Sequence, residues 1–306
     1  MRKIFQWAAT VFLAGVIVFC LTNIWDITAQ YRQESALHDE LLAFSPQRAA
    51  ARPDDALNPI PYSYKRDDDA KNDPTMPDIT QGAPSDDYDT PVQTSKLKVF
   101  DPAITVAPPS TTEPPPLKPN QGIIDLQQRN EDVVGWLTIP DTKIDYPFAQ
   151  ANNNDHYLSR NIYGKYAAAG TLFLDYRNEP DFSDFNNIIY GHFMRNGSVF
   201  GTLHKLTQKA FFEEHPIATL YLDYHTYELE IIAAMTVSSG NTMIYRTHHA
   251  EPEVQQKFFE YIAEHARRYR DIGLAQGDKI VTMSTCAYQF DDARTVVIAR
   301  LKEVFP

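Results

Sequence analysis

"KIVTMSTCAYQFDDARTVVIARL", residues 279–301, decides how this chain is read. In its first part Val281 and Met283 are apolar, while Thr282, Ser284 and Cys286 are small and polar or reactive. Side chains alternate between the faces of a strand, so Cys286 falls on the less apolar face at the strand's end. "AYQFDDA" (287–293) reads as a loop, and "RTVVIARL" returns as the antiparallel partner. With the register symmetric about that loop, Cys286 lies opposite Arg294, both on one face. A guanidinium beside a thiol favours the thiolate and can hold a developing oxyanion. The plainer alternatives are an arginine closing an edge hairpin over solvent and a cysteine serving as a small buried hydrophobe.

The only other cysteine, Cys20, lies in the uncharged run Ile4–Trp25, "IFQWAATVFLAGVIVFCLTNIW". As a helix this run spans about 33 Å, the thickness of a bilayer's hydrocarbon core. Arg2 and Lys3 precede it, so the positive-inside tendency puts the N-terminus in the cytoplasm and the rest outside. The "DITAQ" that follows is a poor cleavage site, so an uncleaved single-pass anchor is expected over residues 1–25. Cys286 would then be the one thiol of the exported part, kept without a disulfide partner.

Residues 26–120 hold fifteen of the 21 prolines and acidic runs such as "KRDDDAKNDP". Such a composition cannot repay the entropy of folding, so a largely disordered extracellular linker is expected, with a short helix near Tyr31–Phe44. Treated as a coil of some 75 residues, it would span roughly 50 Å. The formal net charge of −12 shows no basic stripe for nucleic acid.

Residues 121–306 carry the folded domain. A short helix, "IIDLQQRNEDV", opens it. Eight strand-like runs follow: "VVGWLTI", "KIDYPF", "GTLFLD", "NNIIYG", "IATLYL", "TYELEIIAAMTV", "DKIVTMSTC" and "RTVVIARL". Turn residues separate them, which predicts a barrel or sandwich. One helix interrupts them, "EPEVQQKFFEYIAEHARRYRD", with Pro252 in its first turn. Val254, Phe258, Ile262 and Tyr269 form its expected buried stripe, and Arg267, Arg268 and Arg270 its basic end.

A cysteine nucleophile needs a proton carrier. Of nine histidines, His192 stands apart because it follows the apolar run "NNIIYG" at an expected strand end. The others sit in polar turn or helix contexts. No H-E-x-x-H, zinc-spaced cysteine pair, phosphate loop or G-x-S-x-G elbow occurs, so neither metal nor cofactor is expected.

These residues resemble a known family. "TMSTC" followed by Arg294 is similar to the TLxTC…R signature of sortases, with Met283 in place of leucine. "IIYGHFMRNGSVFGTLHK", "GWLTIPDTKIDYPFAQANNNDHYL" and "GTLFLDYRN" resemble class B segments. The resemblance covers about residues 121–306. It implies an eight-stranded sortase β-barrel with an N-terminal helical extension and a long helix between the sixth and seventh strands. It further implies Cys286 as nucleophile, His192 as general acid/base and Arg294 as transition-state stabiliser. Asn154, Tyr190, Ser284 and Thr285 would line the substrate groove, while Ala287 departs from the polar residue common after the cysteine. The implied reaction is cleavage of an NPxT-like C-terminal sorting signal after threonine, through a thioacyl-enzyme. The acceptor would be an amine of peptidoglycan or of another protein. An exported cysteine hydrolase and a non-catalytic, membrane-tethered binding module remain open alternatives.

Overall fold

The computed structural model describes residues 2–47, 118–248, 251–286 and 292–304. Most of the expected linker (48–117) and most of the hairpin loop (287–291) lie outside the described residues.

Helix α1 (Arg2–Leu41) opens the chain and runs into a single 3₁₀ turn, Leu42–Phe44. It is the one described helix long and apolar enough to cross a membrane. Trp7, Phe12, Phe19 and Trp25 on it are all exposed, so no core among the described residues covers them. Helix α2 (Gln121–Gln127) is shorter than the sequence pattern suggests, because the chain turns at Asn130 to enter the first strand.

The strands are β1 (Val133–Thr138), β2 (Asp145–Ala149), β3 (Leu172–Leu174), β4 (Asn186–Tyr190), β5 (Ile217–Tyr221), β6 (Thr226–Ser238), β7 (Arg268–Tyr269), β8 (Lys279–Cys286) and β9 (Ala293–Glu303). Helix α3 (Lys209–Glu214) precedes β5, and helix α4 (Pro252–His265) lies between β6 and β7. Eight strands run in the order β5-β1-β2-β3-β4-β8-β9-β6, and a β5–β6 ladder closes the circuit into a barrel. Closure removes the free edges that an open sheet would expose. The two-residue β7 pairs with β6 at Ala233 and Ala234, beyond the stretch that β5 covers.

Alternation divides β8 and β9 between two cores. Val281, Met283, Val297 and Ala299 point into the barrel with Phe148, Phe182, Phe200 and Leu220. Ile280, Val296 and Ile298 point outward, where Phe258, Phe259 and Ile262 of α4 cover them. Ser284 and Arg294 continue the outward rows past the end of that helix-covered patch.

The α4 helix ends sooner than its sequence suggests. Ala266 is extended, so Arg267, Arg268 and Arg270 lie beyond the helix and do not serve its C-terminal dipole. Arg270 instead reaches the backbone carbonyls of Ile231 and Phe212. Of the expected buried stripe, Phe258 and Ile262 are buried, Val254 is half-buried, and Tyr269 belongs to β7 and is exposed; Phe259 is buried in addition. The cause is the β6 edge, whose free backbone groups capture the chain at Arg268 and Tyr269.

Candidate active site

Two non-local pairings assemble the site. β8 and β9 pair antiparallel in the register that the loop symmetry predicts, with Cys286 opposite Arg294 and Ser284 opposite Val296. β4 runs parallel to β8, which sets Tyr190 beside Ser284. The Gly191 N–H extends this ladder by donating to the Ser284 carbonyl (3.1 Å). His192 therefore leaves the barrel one residue later, on the same rim as the end of β8. A Cβ at Gly191 would collide with the Leu172 and Phe200 side chains, so glycine permits this close approach.

Asn154, Leu158, Tyr190, His192, Ser284, Thr285 and Arg294 line one open groove of about 850 Å³. All the residues expected to bind substrate thus share one surface with the expected histidine and arginine. The His192 ring places Nε2 2.8 Å from the Leu158 carbonyl oxygen. A carbonyl only accepts, so Nε2 carries a proton in this bond and Nδ1 is the other exchangeable nitrogen. The Arg294 guanidinium donates to the neighbouring Ala293 carbonyl at 3.0 Å. Thr285 faces the barrel's mouth, and its buried hydroxyl has no hydrogen-bond partner among the described residues.

Sequence reading missed the group that organises one wall. Asp175, just after β3, is fully buried. Arg177 grips both its oxygens (2.8 and 2.7 Å), and Asn154 Nδ2 and the Tyr190 hydroxyl each donate to Oδ2 at 3.1 Å. Burial raises the Asp175 carboxyl, but the Arg177 side chain, the Arg177 N–H and Asn154 outweigh it. The carboxyl is held below the usual range. Burial and the adjacent Asp175 charge push the Tyr190 hydroxyl upward, so it stays protonated as a donor. An acidic residue closing the apolar run "GTLFLD" is the only hint the sequence offers.

The opposite wall is the loop after β6. Tyr245 stacks on Tyr190 (6.3 Å between centroids) and shares a 2.9 Å hydroxyl hydrogen bond with Ser284. Arg177 also donates to the Tyr245 carbonyl at 3.1 Å, joining both walls. Buried Asn186 on β4 holds this loop in place. Its Nδ2 donates to the Ile244 and Arg246 carbonyls (both 2.9 Å), while Thr282 donates to its Oδ1 at 2.7 Å. The site is thus a rigid aromatic-lined groove leading to the strand end that carries Cys286.

Comparison with known proteins bears on this arrangement. The Sortase domain family matches residues 137–302. Sortase B of Listeria monocytogenes is 37% identical over 179 residues, covering 58% of this chain and 72% of that one. The structure of Bacillus anthracis sortase B in complex with AAEK1 superposes with a TM-score of 0.57 at 35% identity, covering 62% and 90% of the two chains. A Staphylococcus aureus sortase B–substrate complex gives a TM-score of 0.57 at 26% identity, over 62% and 88%. The chain belongs to the sortase family, in its class B. The barrel, the inserted α4 helix and the leading apolar helix are the architecture the sequence motifs imply.

Proposed function

We propose that this chain is a membrane-anchored class B transpeptidase in which Cys286 is the nucleophile, His192 the acid/base and Arg294 the oxyanion partner. Register carries the reading: Cys286 stands opposite Arg294 at the mouth of the groove that His192 also lines. The Cys286 thiolate attacks the carbonyl carbon of the sorting signal's threonine, and Arg294 meets the charge that builds on the carbonyl oxygen. As the C–N bond breaks, His192 gives a proton to the departing amine, leaving a thioester. An incoming amine then loses its proton to His192, forms the new amide and expels the thiolate.

The Tyr190, Tyr245 and Asn154 walls suit an extended peptide with a polar residue and a proline, in line with an NPxT-like signal. The acceptor is an amine of peptidoglycan or of another surface protein. The apolar part of α1 is the anchor, with the N-terminus cytoplasmic and the barrel outside.

The test incubates the full chain in detergent with an NPxT-type peptide, with and without triglycine, and reads products by mass spectrometry. The expected results are a covalent adduct of the peptide's acyl part on Cys286 and amide product only with the amine. Cys286→Ala should lose at least about 10³-fold in rate. Free acid regardless of amine would identify a hydrolase. Peptide binding with turnover in neither protein would identify a binding module.

A further inference from the structure

The end of α1 is not a free stalk. Leu41 is buried in one cluster with Ile123, Leu126 and Trp136, and Leu37, Leu42 and Phe44 pack against it. The Ala169 N–H donates to Glu34 Oε1 (3.2 Å), the Tyr163 hydroxyl donates to Glu40 (3.2 Å), and His38 lies 4.2 Å from the Tyr146 ring. Arg129 covers the Phe44 ring at 4.7 Å. The chain approaches so closely that a Cβ on Gly122 would collide with the Phe44 carbonyl.

The two edges of the Pro/Asp-rich stretch then meet at one place. The Gln47 side chain hydrogen-bonds Tyr221 at the end of β5. Asn120 bonds the next two residues, its Nδ2 to the Leu222 carbonyl (2.5 Å) and its N–H to the Asp223 carbonyl (2.6 Å). A segment that leaves and rejoins the barrel at adjacent residues cannot set the barrel's distance from anything else.

We propose that the catalytic barrel is seated directly on the end of α1, so that α1, and not residues 48–117, sets its distance from the membrane. The membrane consequence rests on the anchor reading above. The first charge after the apolar run is Asp26, and Glu34 already touches the barrel. Eight residues of helix rise about 12 Å, whereas a coil of some 70 residues would separate head and anchor by roughly 45 Å. The barrel therefore works against the membrane surface at a fixed height.

The test places a site-specific protease sequence between residues 75 and 85 of the full chain and cuts it in isolated membranes. Seating predicts that the cut barrel stays in the membrane pellet, and that Leu41→Asp moves it to the supernatant after cutting but not before. Activity of uncut Leu41→Asp on the sorting peptide reports that its barrel is folded. Release of the cut parent barrel without any substitution would overturn the proposal. If the uncut chain were absent from the pellet, the anchor reading would fail instead. Co-elution of the two cut fragments on gel filtration would then still support seating, and their separation would overturn it.

Discussion

At the residue scale, the three expected chemical groups could be named from the sequence because each stands at the end or the start of a run with a clear period. Cys286 and Arg294 flank a loop, and His192 follows an apolar strand. Asp175 was invisible in that role because its meaning comes from Arg177, Asn154 and Tyr190, drawn from three separate segments. Replacing it isolates that role. Asp175→Asn should cost about 2–3 kcal/mol at neutral pH, since a buried charged acceptor is lost. Because folding depresses this carboxyl, its contribution is present above the unfolded value near 3.9 and fades as pH falls through the lower folded value. Urea unfolding at a series of pH values should show parent and variant converging below about pH 4. A gap that stays constant with pH would exclude this role.

At the element scale, the eight barrel strands were legible because turn residues punctuate them and apolar residues recur at strand period. Boundaries set by tertiary partners were not. The basic end expected of α4 became an edge strand because β6 offered it hydrogen bonds, which outweighs helix propensity. The loop after β6 is likewise pinned from outside itself, by Asn186, beyond the turn that its own Asn241 makes. Asn186→Ala should therefore act on two elements together. It leaves Thr282 and two carbonyls without their buried partner, at about 2–4 kcal/mol in total. It also frees the Tyr245 wall, so KM for the sorting peptide should rise more than kcat falls. Denaturant titration and steady-state kinetics on one preparation check both, and unchanged KM would separate the loop from substrate binding.

At the scale of the whole molecule, the class B barrel was legible from motifs spread in order along residues 121–306, whereas the strand count alone left barrel or sandwich open, and it is the β5–β6 ladder that closes the sheet. The seating of α1 was not legible, because composition marks residues 26–120 as one stretch and cannot show that their first part folds back on Trp136. One feature of the barrel also governs its assembly in time. The parallel β4–β8 ladder joins Asn186 to Ile280 and Tyr190 to Ser284, so β5, β6 and α4 must be accommodated before it can close. Loop-closure entropy comes due before such contacts reward it, which places folding in the range of about milliseconds to seconds. In stopped-flow refolding of the full chain in detergent, capacity to bind the sorting peptide should return with the slowest phase of intrinsic fluorescence, and earlier return would contradict this order. A newly made chain thus passes through a period in which Cys286 exists but the groove does not, and its thiol meets a groove-bound peptide only after the barrel is complete.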